Sequence, residues 1–230
     1  MSLYTTARLL APNGQIIDGT GFQYEAGGRL ASLLAQRRSL IFSQPHTGEW
    51  VFGLVLASET NGAYERGVGV FKPGNAGPPE HFHPNYDEQF EIIQGESIFK
   101  IAGKEQPARP GNKLVVKKGT PHTFRCVGDV HGAVVVETQP AARTGEVIGT
   151  LFGMAHERKL TAGGQPKFLQ ALVIASEYAS DTVFTTPPPG IALPIAKALA
   201  PIGRLVGYRP TYARYQDEAF WTARVEQPPK

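Results

Sequence analysis

HFHPNYDEQFEIIQG, residues 81–95, places two histidines, a turn, an acid and an alternating apolar run within one short stretch. His81 and His83 are two positions apart, so on an extended strand both imidazoles leave the same face. Pro84 and Asn85 are turn formers, and the residues between His83 and Glu88 suit a reversal that brings the chain back antiparallel. Counting by twos from Glu88, Phe90 and Ile92 share its face, while Gln89, Glu91 and Ile93 take the other.

A second stretch, GNKLVVKKGTPHTFRC at residues 111–126, introduces His122 from a separate strand, after Gly119-Thr120-Pro121. Three imidazoles and one carboxylate, His81, His83, Glu88 and His122, form a nitrogen and oxygen donor set. It suits one divalent transition metal (Fe, Mn, Ni, Zn, Co or Cu) and does not suit calcium or magnesium. Phe124 and Cys126 follow His122 on its own face. Phe99 and Ile101 flank Lys100, which prefers solvent, and so add to the same lining. Phe90, Phe99 and Phe124 are the candidate substrate-binding residues, with simple barrel filling as the alternative for each. Cys126 reads as a small buried apolar residue, because no neighbour activates a thiol. His46, His131 and His156 stand alone and read as packed or hydrogen-bonded side chains.

Outward from these stretches, short runs of Val, Ile, Phe and Leu are punctuated by 26 Gly and 19 Pro. Strands are expected at residues 39–44, 50–57, 65–71, 88–93, 96–101, 113–116, 122–127 and 133–137. This is a mainly β chain, an antiparallel jelly-roll barrel. Beyond Gln139 the pattern becomes helical. KFLQALVIASEY, residues 167–178, carries an apolar stripe, residues 191–206 restart as an amphipathic helix after Pro187-Pro188-Pro189-Gly190, and residues 217–226 offer a third. The expected division is an N-terminal extension at 1–38, a barrel at 39–150 and a helical C-terminal extension at 151–230. Residues 15–38 fit either a hairpin turning at Gly27-Gly28 or a short helix at 30–36.

Residues 81–95 also resemble the first motif of the cupin superfamily, His-x-His, three or four residues, Glu, six residues, Gly, with every spacing met through Gly95. Residues 111–126 resemble the second, with Gly111, Gly119 and His122 in place. Lys117 stands where the family usually has proline, Cys126 where it usually has asparagine, and Gly74 lies one position early. None of these is a ligand. The resemblance spans roughly residues 60–140. It implies a cupin barrel with a metal held by His81, His83, Glu88 and His122, and leaves the reaction open among dioxygenases, isomerases, lyases and non-enzymatic sensors.

The whole chain sets outer bounds. With 230 residues and 41% hydrophobic content it can build a substantial core. A formal net charge of +3 with interleaved signs gives no nucleic-acid footprint. No window approaches the roughly 20 apolar residues of a spanning helix, so no membrane partner is expected. The single cysteine and the absence of a leader-like amino terminus lead to a cytoplasmic expectation. Four protein donors leave open positions on a six-coordinate metal, the mark of catalytic rather than structural sites. The leading expectation is a dioxygenase acting on a small aromatic or oxygenated organic molecule. A metal-dependent isomerase or lyase, and a binding or sensing module, are the alternatives. Edge strands and an amphipathic tail lead to an expected homodimer.

Overall fold

Apolar residues at every second position give an extended chain one face to bury, and two such faces bury each other. The computed structural model describes residues 2–229 and shows this outcome. The chain begins with β1 (Leu3–Thr6), β2 (Leu9–Leu10), β3 (Ile16–Ile17), β4 (Phe22–Glu25) and helix α1 (Arg29–Ala35). The barrel strands follow: β5 (Phe42–Gln44), β6 (Glu49–Val55), β7 (Glu65–Phe71), β8 (His81–Phe82), β9 (Asp87–Gln94), β10 (Glu96–Ile101), β11 (Lys104–Ala108), β12 (Lys113–Val116), β13 (His122–Val127) and β14 (Gly132–Gln139). Helices α2 (Thr144–His156) and α3 (Phe168–Glu177) precede a short strand, β15 (Val183–Phe184), and helices α4 (Pro189–Leu205) and α5 (Glu218–Thr222) complete the chain.

Strands β12-β9-β14-β7-β6-β5 form a six-stranded sheet and β11-β10-β13-β8-β15 a five-stranded one, with antiparallel pairing throughout. Phe71, Phe90, Ile92 and Val134 of the first sheet meet Phe99, Phe124 and Cys126 of the second in one buried cluster, the barrel interior. The outer face of the six-stranded sheet is buried as well. Val68, Val70, Ala133 and Val135 turn outward and pack in a second cluster with Phe152 of α2 and the C-terminal Tyr215, Phe220 and Trp221. The alternation along β7 and β14 therefore feeds two cores, one on each side of the same sheet.

Strands β7, β10, β12 and β13 have the expected boundaries, and β9 and β14 extend theirs by one or two residues. Helices α3 and α4 occupy the expected stripes, while the third, α5, is short. In the amino-terminal segment Gly27-Gly28 is not a hairpin turn: β4 pairs with β1, and α1 follows. β11 and α2 have no counterpart among the expectations, and neither do the short strands β1, β2 and β15. β11 contains Pro107 and four exposed residues, which a sheet tolerates only at an edge, and an edge is where it lies. α2 runs across residues 150 and 151, the expected barrel boundary, and joins the outer core.

The glycines of α2 weaken its helical signal in the sequence. Gly145, Gly149 and Gly153 recur every fourth position, a pattern that lowers helix propensity. A Cβ on Gly153 would lie 2.3 Å from the Tyr215 ring, and one on Gly149 would lie 3.2 Å from the Tyr215 carbonyl oxygen. The missing side chains form the groove into which the C-terminal segment packs.

Candidate metal centre

β13 pairs with β8 so that His122 lies directly opposite His81, and directly opposed residues project to the same side of a sheet. His83 follows β8 by one residue and is tied in place as its carbonyl accepts from the Gly119 amide at 2.8 Å. Glu88 reaches across from β9 in the other sheet. Lys117, in place of the usual proline, donates from Nζ to Asp87 Oδ2 at 2.7 Å, and the Lys118 amide donates to Asp87 Oδ1 at 2.9 Å, fixing the start of β9 next to Glu88.

The four predicted ligand residues come together: one donor atom from each of His81, His83, Glu88 and His122 lies within 4.8 Å of all the others. The imidazoles are buried, His122 at 1% exposure, and the Glu88 side chain is nearly so at 12%. Glu88 Oε2 lies 3.1 Å from His83 Nε2 and 2.9 Å from His122 Nε2.

The other ring nitrogens explain this orientation. His81 Nδ1 lies 2.8 Å from the Pro79 carbonyl, His122 Nδ1 lies 3.0 Å from that of Thr120, and His83 Nδ1 lies 2.9 Å from that of Asp181. A carbonyl oxygen only accepts, so each Nδ1 carries a hydrogen, and in its neutral form each ring would present its Nε2 lone pair to the centre. The donor set thus fits a transition metal in identity, tautomer and convergence.

The electrostatics agree. Burial, with His122 and His83 beside it, holds His81 down to about 4, so it stays neutral over the physiological range. Burial alone would raise the Glu88 carboxyl, but hydrogen bonds from His122 and His83 hold it down to about 2. His122 is moved oppositely: burial lowers it, and the hydrogen bond to Glu88 outweighs that and raises it. Glu88 thus favours the protonated form of His122, whose Nε2 proton must leave before the ring can ligate a metal.

The three phenylalanines lie beneath this cluster. Phe90 is 6.1 Å from the His122 ring, Phe99 is fully buried, and Phe99 and Phe124 stack at 5.1 Å. Ile92 and Cys126 point inward as expected, and burial pushes the Cys126 thiol up, away from nucleophilic use. His46, His131 and His156 stay outside the cluster.

Sequence reasoning missed two aromatic neighbours. Tyr86, from the turn, is buried and stacks on His83 at 4.3 Å. Phe184 of β15 pairs with His81, places its ring 6.1 Å away and is 45% exposed, so it stands at the open side of the site. It comes from a two-residue strand about a hundred positions downstream, and no local signal marks it.

Residues 67–138 match the family model described as Cupin domain. A curated relative from Streptomyces cyaneus, "Polyketide synthase CurC", is 29% identical over 76 residues, covering 33% of this chain and 49% of that protein. The match thus spans about half the length of that relative. Among solved structures, an RmlC-like cupin from Shewanella frigidimarina aligns with a TM-score of 0.40 at 16% identity, covering 47% of this chain and 97% of the other. KdgF from Halomonas sp. aligns with a TM-score of 0.38 at 18% identity, covering 42% of this chain and 83% of the other.

Proposed function

For this chain, a member of the cupin superfamily with its cupin domain at residues 67–138, we propose an enzyme that holds one divalent transition metal and performs dioxygenase-type oxidation of a small aromatic or oxygenated organic molecule. One observation carries this reading: three imidazoles with tethered Nδ1 atoms aim their Nε2 atoms at one carboxylate, above a phenylalanine-lined interior. His81, His83, His122 and Glu88 would hold the metal. Four protein donors would leave a six-coordinate metal open to exogenous ligands, and the metal, when bound, would supply the electronic chemistry.

The chain's own residues do the rest. Glu88 contributes one negative charge and lowers the net charge of the centre. The His122 Nε2 proton that hydrogen-bonds to Glu88 would have to leave for the ring to act as a ligand. Phe90 and Phe124 keep the floor of the site apolar, and Phe184 offers an aromatic edge to a substrate arriving from solvent. Elemental analysis of protein purified without added metal, followed by O₂ uptake with phenolic, flavonoid, diketone and thiol substrates, tests the reading. O₂ consumption by wild type and none by His81→Ala is the expected result. Metal-loaded protein inert to O₂ across the panel overturns it.

A second reading is a metal-dependent isomerase or lyase, and the name of the curated relative, a polyketide synthase, is compatible with it. In that reading a metal held by the same four residues would supply Lewis acidity toward a carbonyl, and turnover would need no oxygen. Activity under anaerobic conditions would replace the first reading with this one.

We further infer a homodimer. Ile191, Ile195, Ile202 and Leu205 of α4 lie exposed on one side of the helix and form the candidate interface. Light scattering that gives a monomer mass across a range of concentrations would refute it. Among the described residues no helix is long and apolar enough to cross a membrane.

A further inference from the structure

The three ligand histidines are not oriented alike. His81 and His122 each give their Nδ1 hydrogen to a carbonyl two residues upstream, at Pro79 and Thr120, so local chain geometry sets them. His83 gives its hydrogen to the carbonyl of Asp181, 98 residues away in sequence, with Thr182 Oγ1 also 3.3 Å from the same nitrogen. The orientation of His83 therefore depends on whatever holds residues 180–185 against the barrel.

Much of that hold converges on Arg143, which stands between β14 and α2. Its guanidinium donates to Asp181 Oδ2 at 2.9 Å and to the Glu177 carbonyl at 3.0 Å, and its amide lies 3.3 Å from Asp181 Oδ1. Its Cζ sits 4.5 Å from the centre of the Tyr178 ring. Further ties come from Asn85 Nδ2, which donates to the Ser180 carbonyl at 2.8 Å, from the Thr185 amide and hydroxyl, which donate to the Glu80 carbonyl at 3.0 and 3.2 Å, and from the pairing of β15 with β8. Arg143 is thus fixed at the end of the barrel's last strand and grips the residue whose carbonyl aims a ligand ring.

We propose that Arg143 is a positioning residue of the metal centre, acting through Asp181 on His83. The proposal rests on the metal-centre reading above. The Arg143 and Asp181 side chains are 41% and 15% exposed, so their ion pair contributes little to global stability. Its contribution is geometric: it keeps the Asp181 carbonyl within hydrogen-bonding reach of the imidazole. Losing a hydrogen-bond partner of a ligating histidine typically costs 10–100-fold in metal affinity, and Arg143 lies one contact further out. Its loss is expected to weaken binding about tenfold.

The test uses the full chain and cobalt(II) alone, with affinity measured by chelator competition and ligand geometry by the visible absorption of the bound ion. Wild type should bind one equivalent, His83→Ala should bind far more weakly, and Arg143→Ala should bind about tenfold more weakly with a shifted absorption band. Arg143→Lys, which keeps the charge, should recover part of the loss. Should Arg143→Ala fail to fold, Asp181→Asn removes the same ion pair while keeping the main-chain carbonyl, and must show the same weakening. Wild-type affinity and spectrum in Arg143→Ala, alongside loss in His83→Ala, overturn the positioning role alone. Equal cobalt binding by wild type, His81→Ala and His83→Ala overturns the metal centre and this inference with it.

Discussion

The inner face of the six-stranded sheet turns Phe71, Phe90, Ile92 and Val134 into the barrel, and its outer face turns Trp50, Phe52, Val68 and Val135 into the core shared with the amino-terminal segment, α2 and the C-terminal segment. The residue types are nearly the same, and what separates the two sides is how their polar atoms are satisfied. In the outer core each of three polar groups is closed by a neighbour. Trp50 Nε1 donates to the Ala7 carbonyl at 3.0 Å, Trp221 Nε1 to that of Tyr215 at 2.9 Å, and His156 Nε2 to that of Ser43 at 3.0 Å. At the inner site the Nδ1 atoms are closed in the same way, but the Nε2 atoms and Glu88 converge on one another. Hydrogen bonds that terminate build a core, and donors left pointing at a common centre build a site.

Substitutions on the two sides should therefore differ in kind. The largest expected effect is on the outer side: Trp221 is fully buried and stacks on Phe42 at 4.3 Å, so Trp221→Ala should cost about 3–5 kcal/mol in denaturant unfolding. Metal stoichiometry per folded molecule should not change. Coupled loss of metal at unchanged folding would blur the distinction between the two cores.

On the inner side, Phe124→Ala removes a ring stacked on Phe99 and edge-on to Phe71 and should cost about 3 kcal/mol. Metal should be retained while substrate preference changes, which competition between substrates would measure. Unaltered preference would assign Phe124 to barrel filling alone.

A smaller effect is expected from pH. Burial holds His156 down to about 4 from an ordinary 6.5, so the folded protein resists its protonation and the unfolded chain does not. Its contribution is present in full above pH 6.5 and is lost as pH falls from there toward 4. Unfolding experiments on wild type and His156→Gln across that window should show a flatter pH dependence in the variant. Parallel curves would refute the assignment.

The smallest effect belongs to the surface. Arg66 is 44% exposed and pairs with Glu137 on the neighbouring strand, so Arg66→Ala should change stability by about 0.5 kcal/mol or less and leave metal binding untouched.

The inner side was the legible one. His-x-His, Glu88 and the glycine before His122 are tied to strand period and turn chemistry, and the strands that carry Glu88 and His122 lie where alternation places them. The outer side was only partly legible. α2 hides behind glycines whose purpose is to admit Tyr215, a contact some sixty residues away in sequence. β15 is two residues long, too short for any periodicity, yet it supplies Phe184 to the site, and Asp181 just before it orients His83. Local patterns encode local geometry, and these features arise where distant segments meet.

The central claim is that His81, His83, Glu88 and His122 form one metal site. Elemental analysis with X-ray absorption spectroscopy of the purified full chain tests it most directly. The account predicts close to one divalent transition metal per chain, in a nitrogen and oxygen shell containing imidazole, lost from both His81→Ala and His122→Ala. A protein that takes up no such metal when it is supplied, or that binds it equally well in both variants, would contradict it.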